Sequence, residues 1–405
     1  MKKTSAMFYK QTAFFALLVL YAPALLAQPV RDADMAKLIK DNFAFADSQY
    51  QYMMELIPAD KMPQSFDEKN KRFIARERTW WCSGFYPGSL WLIYEQTGNP
   101  VIKKEAERSL AVIEPNKTYT GNHDLGFMMY CSFGNAYRLT KDKAYRDPIH
   151  QAAAALATRY RPELKIIQSW NSNQYFKCPV IIDNMMNLEL LYWVTNDGGD
   201  KKYKDIAITH SNSTIKNHFR ADYSSYHVID YDPKHPGKVL RKATWQGAAD
   251  CSAWSRGQGW GLYGYTMMYR FAKDKRYLNQ AREIAKFILN HPNLPADKIP
   301  YWDFDAPQIP NAKRDASAGA LIASALLELA QYTTGAEKQS YITHAREMIL
   351  SLSGDKYRAK LGENGGFLLM HSTGALPLNS EIDVPLVYAD YYYLEALKRY
   401  KDWYL

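Results

Sequence analysis

The chain has 405 residues, of which 47% are hydrophobic and 14% aromatic, and its formal net charge is +9. It can bury a large core, and its 10 tryptophans and 31 tyrosines exceed what a core usually needs, which fits carbohydrate binding as well as helix packing. Lysines and arginines are mixed with acidic residues rather than clustered, which leaves polyanions as plausible partners but argues against nucleic acid.

Residues 1–27 have the pattern of a cleaved export signal. Three lysines precede an apolar run from Ala13 to Leu20, and small residues follow as far as Ala27. This run is too short for a comfortable membrane span, and no later segment approaches 18 apolar residues, so no membrane-spanning helix is expected. The sequence predicts a secreted protein, periplasmic after cleavage, with residues 28–405 forming a single domain.

The rest of the chain repeats an apolar helix, a short turn and a charged amphipathic helix. An amphipathic helix from Asp32 to Leu56 comes first, and five others follow the turns. The apolar helices are expected to begin near Gly84, His123, Asp183, Gly257, Asp315 and Leu386. Helices that are apolar all round lie inside and amphipathic ones outside. The prediction is therefore an all-α protein, an (α/α)6 barrel of six inner and six outer helices closed by its first and last helices, with an open solenoid as the alternative.

Strand signals are confined to the loops. The segments SSYHVIDYDP and KVLRKATWQG predict a hairpin between the fourth outer helix and the next inner one. The segment KIPYWDFDAPQIP predicts a proline-bounded loop.

The four cysteines lie far apart without CxxC or CxxH spacing, so no zinc site is expected. Their apolar and aromatic neighbours favour buried free thiols over disulfides. No metal and no cofactor is predicted.

Polar residues stand at the start of successive apolar helices, so we expect them at one mouth of the ring. Asp124 lies in NHDLGF and Asp183 in VIIDNMMNL. An aspartate at such a position is often only a helix N-cap, and this alternative stays open for each. Two carboxyls in apolar surroundings also suit sugar hydrolysis, in which one delivers a proton and another holds or activates water. Asp183 has the more apolar neighbours, so we predict that it is the acid.

The segment TWQGAADCSAWSRGQGWGLYGY places an arginine among tryptophans and glycines. Arg256 can clamp a carboxylate through two hydrogen bonds, and a tryptophan offers a flat face to a sugar ring. Glycines at 257, 259 and 261 would let a ligand approach the backbone. The alternative is that the tryptophans pack in the core and the glycines permit helices to cross.

The segments WWCSGFYPGSLWLIYEQTG, HDLGF, IIDNMMNLELL, SSYHVIDYDP, WSRGQGWG, YWDFDAPQIP, RDASAGA and YADYYYLEAL resemble glycoside hydrolase family 88, the unsaturated glucuronyl hydrolases, in the order of that family. The resemblance extends over nearly the whole chain after the signal and implies an (α/α)6 barrel. It also implies that Asp183 is the general acid and base and that Asp124 is the second carboxylate. The implied sugar-lining residues are Trp81, His227, Gln246, Trp254, Arg256 and Trp260.

The resemblance implies a substrate and a reaction. The substrate is the unsaturated oligosaccharide that polysaccharide lyases leave. The acid protonates C4 of the 4,5-double bond, water adds at C5, and the hemiketal opens and expels the aglycone. Two other functions remain open at this point. One is an unsaturated rhamnogalacturonyl hydrolase, which has a similar fold and W-x-RG-x-GW segment, and the other is a non-catalytic glycan-binding protein of the cell envelope.

The chain departs from the family pattern in the last loop before the final inner helix. Some members carry a tyrosine where this chain has HSTG, residues 371–374. We predict that the loop 371–379 selects the aglycone through the hydrogen-bond donors of Ser372, Thr373 and Asn379. The alternative is an ordinary polar connection.

Overall fold

The computed structural model describes residues 31–405, so the predicted export signal lies outside the described residues. The described residues form twelve α-helices, six outer and six inner. The outer helices are α1 (Asp32–Leu56), α3 (Pro100–Ile113), α5 (Lys143–Ala157), α7 (Lys202–His218), α9 (Lys275–Asn290) and α11 (Gly335–Leu352). The inner helices are α2 (Phe85–Thr97), α4 (Asn135–Thr140), α6 (Asn184–Asn196), α8 (Ser255–Ala272), α10 (Ala316–Leu329) and α12 (Val387–Tyr404).

The inner helices form a closed ring. Helix α4 continues a π-helical segment (Gly126–Gly134), and this segment packs between α2 and α6. Helix α8 packs between α6 and α10, and α12 packs against both α10 and α2, so the contacts return to the first inner helix. Every residue of α10 is buried, as expected for a helix that is apolar all round. The predicted (α/α)6 barrel is confirmed.

Hydrogen bonds join the first and last elements of the ring. The Gln49 amide on α1 donates to the carbonyl oxygens of Glu363 (2.9 Å) and Phe367 (3.1 Å). The Tyr50 hydroxyl donates to the Asp390 carboxylate on α12 at 3.3 Å. These contacts join the outer helix that begins the fold to the inner helix that completes it.

Three of the turns from an inner to an outer helix share one local design. The inner helix ends in a left-handed residue, which is Gly98, Lys141 or Lys273. The following residue caps the outer helix, because the side chains of Asn99, Asp142 and Asp274 each accept a backbone N–H at 2.9 Å. This shared design is the physical basis of the repeated turn sequences.

Within residues 31–405, four small antiparallel sheets lie in the loops, and one of them contains the predicted hairpin. The predicted hairpin is present as β6 (Val228–Tyr231) and β7 (Val239–Ala243), and β5 (Pro179–Ile181) adds a third strand to it. The other pairs are β1 (Met62–Asp67) with β2 (Arg72–Arg76), β3 (Tyr160–Arg161) with β4 (Ile166–Ile167), and β8 (Ser372–Ala375) with β9 (Ser380–Val384). These additional strands were not predicted.

The contacts of the glycines at the start of α8 favour the alternative that they permit helices to pack. A Cβ on Gly257 would lie 2.7 Å from the Trp254 ring, and one on Gly259 would lie 2.7 Å from the Leu321 side chain. Their close neighbours are therefore protein side chains, and the glycines let α8 pack tightly.

All four cysteines are free thiols, as predicted. Cys82 and Cys178 are buried and Cys131 is half-buried, but Cys251 is exposed, so the expected burial is wrong for that residue. Within residues 31–405, no helix is long and apolar enough to cross a membrane. The same part of the chain contains no cluster of three or more His, Cys, Asp or Glu side chains placed to hold a metal ion.

Candidate active site

Asp183 lies between β5 and α6, and the strand pairing places His227 beside it. The Ile182 N–H donates to the His227 carbonyl oxygen at 3.0 Å, which continues the β5–β6 ladder. His227 Nε2 lies 3.6 Å from Asp183 Oδ2. Both atoms are buried without a hydrogen-bond partner among the described residues, and Asp183 makes no capping bond to its helix. Unpaired buried polar atoms are costly, so this pair has the character of a ligand site rather than of a helix cap.

Hydrogen bonds to Nδ1 fix the tautomer of His227. Its Nδ1 accepts the backbone N–H groups of Trp245 (3.1 Å) and Gln246 (3.2 Å). The ring proton is therefore on Nε2, the nitrogen that faces Asp183. Burial lowers the pKa of His227 well below its ordinary value, so the ring is neutral. His227 can thus donate a hydrogen bond to Asp183 or to a ligand oxygen, but it carries no charge.

Asp124 lies in the turn that precedes the π-helical segment. Its Oδ1 is 3.3 Å from His123 Nε2, and its backbone N–H donates to the Asn122 side chain at 2.9 Å. The His123 N–H donates to the Ser169 carbonyl oxygen at 3.1 Å, which attaches this turn to the loop before β5. No side chain caps the π-helical segment, so Asp124 is also not acting as its cap.

Burial raises the pKa of both carboxyls to about 7. The Asp124 charge raises the pKa of Asp183 further, while the positive charge of Arg256 opposes the shift. For Asp124 it is the charge of Arg159 that opposes the shift. That Asp183 is the more desolvated carboxyl, and hence the acid, stays a prediction, because burial shifts the pKa of both groups to a similar value. The two carboxyls differ in the positive charge that each one faces.

The three predicted tryptophans all lie near this site but differ in exposure. Trp81 is half-buried, with its ring 4.9 Å from that of Tyr388. Trp254 is 2% exposed and packs against the His227 ring at 4.5 Å. The ring of Trp260 is fully covered, so it presents no open face to a sugar in this structure. The indole nitrogen of Trp254 is buried without a hydrogen-bond partner in residues 31–405, whereas that of Trp260 interacts with the Asp183 carboxyl and opposes the rise of its pKa.

The Arg256 guanidinium forms most of its hydrogen bonds with other residues of the chain. Its Nη1 donates to Asp315 Oδ2 (2.7 Å) and to the Thr373 carbonyl oxygen (2.8 Å), and its Nη2 donates to the Gly374 carbonyl oxygen (2.6 Å). Gln246 Nε2 donates to the same Gly374 oxygen at 3.1 Å. The two-bond clamp predicted for a substrate carboxylate is thus largely occupied. Arg256 and Gln246 instead hold the last loop, residues 372–374, against the site.

The predicted donors of this loop lie in different surroundings. Asn379 is exposed, and the Ser372 hydroxyl has no hydrogen-bond partner among the described residues, so its role stays a prediction. Ser372 is 0% and Thr373 1% exposed. The Thr373 hydroxyl donates to the Arg314 carbonyl oxygen at 3.0 Å and is therefore not directed to a ligand. The loop contributes its backbone, through which Arg256 and Gln246 bind it.

Three residues of this site were not predicted. Tyr388 is 1% exposed, its hydroxyl has no partner among the described residues, and its ring lies 5.3 Å from the Arg256 guanidinium. Asp315 caps α10 through the Ser317 N–H and also pairs with Arg256. Arg159 supplies the charge that faces Asp124. The only sequence signal was that Asp315 and Tyr388 fall near the starts of inner helices.

A separate cavity of about 350 Å³ lies within the barrel and contains neither aspartate. Its half-buried charges include ion pairs such as Glu189 with Arg270 at 2.8 Å. The candidate site is therefore the mouth that carries Asp124 and Asp183.

The chain is similar in sequence and in fold to known proteins. The profile of Glycosyl Hydrolase Family 88 matches residues 57–405. An unsaturated glucuronyl hydrolase of Formosa agariphila is 48% identical over 321 residues, which are 79% of each chain. One from Bacillus sp. strain GL1 is 34% identical over 84% of this chain and 91% of that protein. A crystal structure of an unsaturated glucuronyl hydrolase specific for heparin has a TM-score of 0.87 at 47% identity, covering 90% of this chain and 97% of the other.

The barrel fold and these matches in sequence and structure agree with one another. The chain belongs to Glycosyl Hydrolase Family 88.

Proposed function

We propose that this glycoside hydrolase removes the 4,5-unsaturated glucuronyl residue from the non-reducing end of glycosaminoglycan fragments made by lyases. The observation that carries the proposal is the buried Asp183 carboxyl, whose free oxygen faces a neutral His227 N–H. The relatives named as unsaturated glucuronyl hydrolases support the same substrate class.

The chemistry requires a carboxylic acid that still holds its proton near neutral pH. The C4–C5 double bond of the unsaturated sugar is an enol ether, because C5 also carries the ring oxygen. Asp183 protonates C4, which leaves an oxocarbenium ion at C5. Water adds at C5 and returns its proton to Asp183, and the resulting hemiketal opens and expels the aglycone from C1. Asp124, as the anionic partner, stabilises the positive charge that develops on the ring.

The substrate test compares unsaturated disaccharides from heparin, chondroitin and hyaluronan. Hydration of the double bond removes its ultraviolet absorbance, so turnover is followed directly. We place the heparin disaccharide first, since a heparin-specific enzyme is 47% identical to this chain. Turnover of unsaturated galacturonyl ends alone would indicate a rhamnogalacturonyl hydrolase. Binding without loss of absorbance would indicate a non-catalytic glycan-binding protein.

The pH dependence gives a second test. The pKa of Asp183 is raised to about 7, so the protonated form that donates to C4 is present below that pH and lost above it. We expect kcat/KM to fall by about tenfold per pH unit on the alkaline side. The profile should be measured from about pH 5 to about pH 9 at constant ionic strength. A rate that stays flat to the alkaline end would show that Asp183 is not the acid.

We also propose that the protein acts outside the cytoplasm, which the lysine-led apolar pattern of residues 1–27 supports. The N-terminal residue of the protein recovered from a periplasmic fraction tests this proposal. An intact Met1 on cytoplasmic protein would contradict it.

A further inference from the structure

Arg159 is a buried cation without a carboxylate in contact. It follows α5 and is 3% exposed. Its Nε donates to the Gln168 carbonyl oxygen (2.7 Å), its Nη1 to the Thr120 carbonyl oxygen (2.7 Å) and its Nη2 to Asn171 Oδ1 (3.4 Å). Within residues 31–405 it forms no ion pair. Arginine stays protonated in proteins, so this charge needs compensation from farther away.

The acceptors of Arg159 belong to the two loops that lead to the catalytic carboxyls. Thr120 begins the turn that ends in Asp124. The other loop contains Ser169, whose carbonyl oxygen accepts the His123 N–H at 3.1 Å. The Ser169 hydroxyl oxygen accepts the N–H of Ile181, two residues before Asp183, at 3.0 Å. One guanidinium therefore joins the supports of both carboxyls.

The charges around the two carboxyls are not equivalent. Asp183 faces Arg256, but that guanidinium is already paired with Asp315 at 2.7 Å. Asp124 faces Arg159, which has no such partner.

The remaining titratable groups that face Asp124 carry no positive charge. They are Asp183, His123, whose pKa burial lowers to about 3, and the Cys82 thiol, whose pKa burial raises. An uncompensated positive charge stabilises an anion more than a paired one does.

We propose, on the basis of the function proposed above, that Arg159 is a positioning residue that fixes both loops and favours the ionised form of Asp124. The proton of the pair is then favoured on Asp183. The two carboxyls thus acquire different roles although burial affects both.

The test uses three variants of the full chain. Arg159→Gln keeps one amide donor group but removes the charge, whereas Arg159→Lys keeps the charge but loses the branched set of N–H donors. Arg161→Gln is the matched control, because Arg161 also donates to this loop, at Gln168 Oε1 (2.9 Å), but is only half-buried. For each variant, kcat, kcat/KM against pH and the melting temperature are measured with the disaccharide that the wild type hydrolyses.

Without Arg159 the pKa of Asp124 rises, so its ionised form is lost at a higher pH. For Arg159→Gln we expect the acidic limb of kcat/KM to move upward by on the order of one pH unit. For Arg159→Lys the acidic limb of kcat/KM should stay at the wild-type pH while kcat falls. The Arg161→Gln control should change neither the acidic limb nor kcat. If the Arg159→Gln variant folds with a lowered melting temperature and its acidic limb of kcat/KM does not move, Arg159 has only a structural role.

If the Gln variant does not fold, the Lys variant decides, because a displaced acidic limb there would overturn the proposal. The pKa of Asp124 can also be read without substrate, from a ¹³C titration of aspartate-labelled protein in which Asp124→Asn identifies the signal. A wild type that hydrolyses none of the sugars would overturn the proposed function, and this titration, repeated on Arg159→Gln, would still decide whether Arg159 lowers the pKa of Asp124.

Discussion

Asp183→Asn is expected to abolish turnover while the barrel stays folded. An amide nearly preserves the shape of the carboxyl but cannot deliver a proton to C4 and recover it from water. Loss of such a general acid costs about 10² to 10⁴ in rate. The loss should appear in kcat on the unsaturated disaccharide, with a melting temperature close to that of the wild type. Asp183 Oδ2 has no hydrogen-bond partner among the described residues, so the amide removes no bond from that atom.

Asp390→Asn is the matched control for this variant. Asp390 is also buried at the start of an inner helix, and burial raises its pKa to about 7. Its oxygens, however, accept the N–H groups of Leu368 (2.9 Å) and Leu369 (3.0 Å). An amide there should cost about 1–3 kcal/mol of stability and leave kcat unchanged in the folded protein. Near wild-type activity of Asp183→Asn, or equal loss in both variants, would contradict the assignment.

Asp124→Asn should have the second largest effect on the rate. Without its negative charge the oxocarbenium ion is less stabilised, and we expect kcat to fall by about 10² or more. The Asp124 charge also raises the pKa of Asp183. Its removal should therefore lower that pKa and move the alkaline limb of kcat/KM to lower pH.

The same variant separates a catalytic role from a capping role. Asparagine caps a helix about as well as aspartate, so a purely capping residue would tolerate the change. Asp142→Ala removes a true cap, since Asp142 accepts the Ala144 N–H at 2.9 Å. It should lower stability by about 1 kcal/mol without changing kcat. An Asp124→Asn enzyme with the wild-type rate and pH profile would show that Asp124 is not part of the chemistry.

Much of the fold follows from local patterns in the sequence. Gly84, Asp183, Asp315 and Leu386 are the residues immediately before their inner helices, because helical periodicity and cap residues act over a few positions. The π-helical segment after Asp124 was not predicted. A short, uniformly apolar stretch does not distinguish a π-helix from an α-helix.

The site was predictable only where it depends on these helix starts and on the predicted hairpin. Asp124 and Asp183 stand at such starts, and His227 and Gln246 belong to a recognisable hairpin. The sequence could not show that the donors of Arg256 bond to the protein itself, because the acceptor Gly374 lies 118 positions away along the chain. No local pattern indicates whether an arginine binds a substrate or its own chain. Arg159 was missed for the same reason, since its acceptors are carbonyl oxygens of other loops.

The closure of the ring also affects how the chain folds. Helical proteins usually fold fast because their contacts are local in sequence. Here the seam joins residues as far apart as Gln49 and Phe367, separated by 318 positions, and Tyr50 and Asp390, separated by 340. Such contacts raise the contact order and require the loop-closure entropy to be overcome before they stabilise the fold. The barrel should therefore fold slowly for an all-α protein. The mouth that carries Asp124 and Asp183, which needs residues 372–374 bonded to Arg256, should form late in folding.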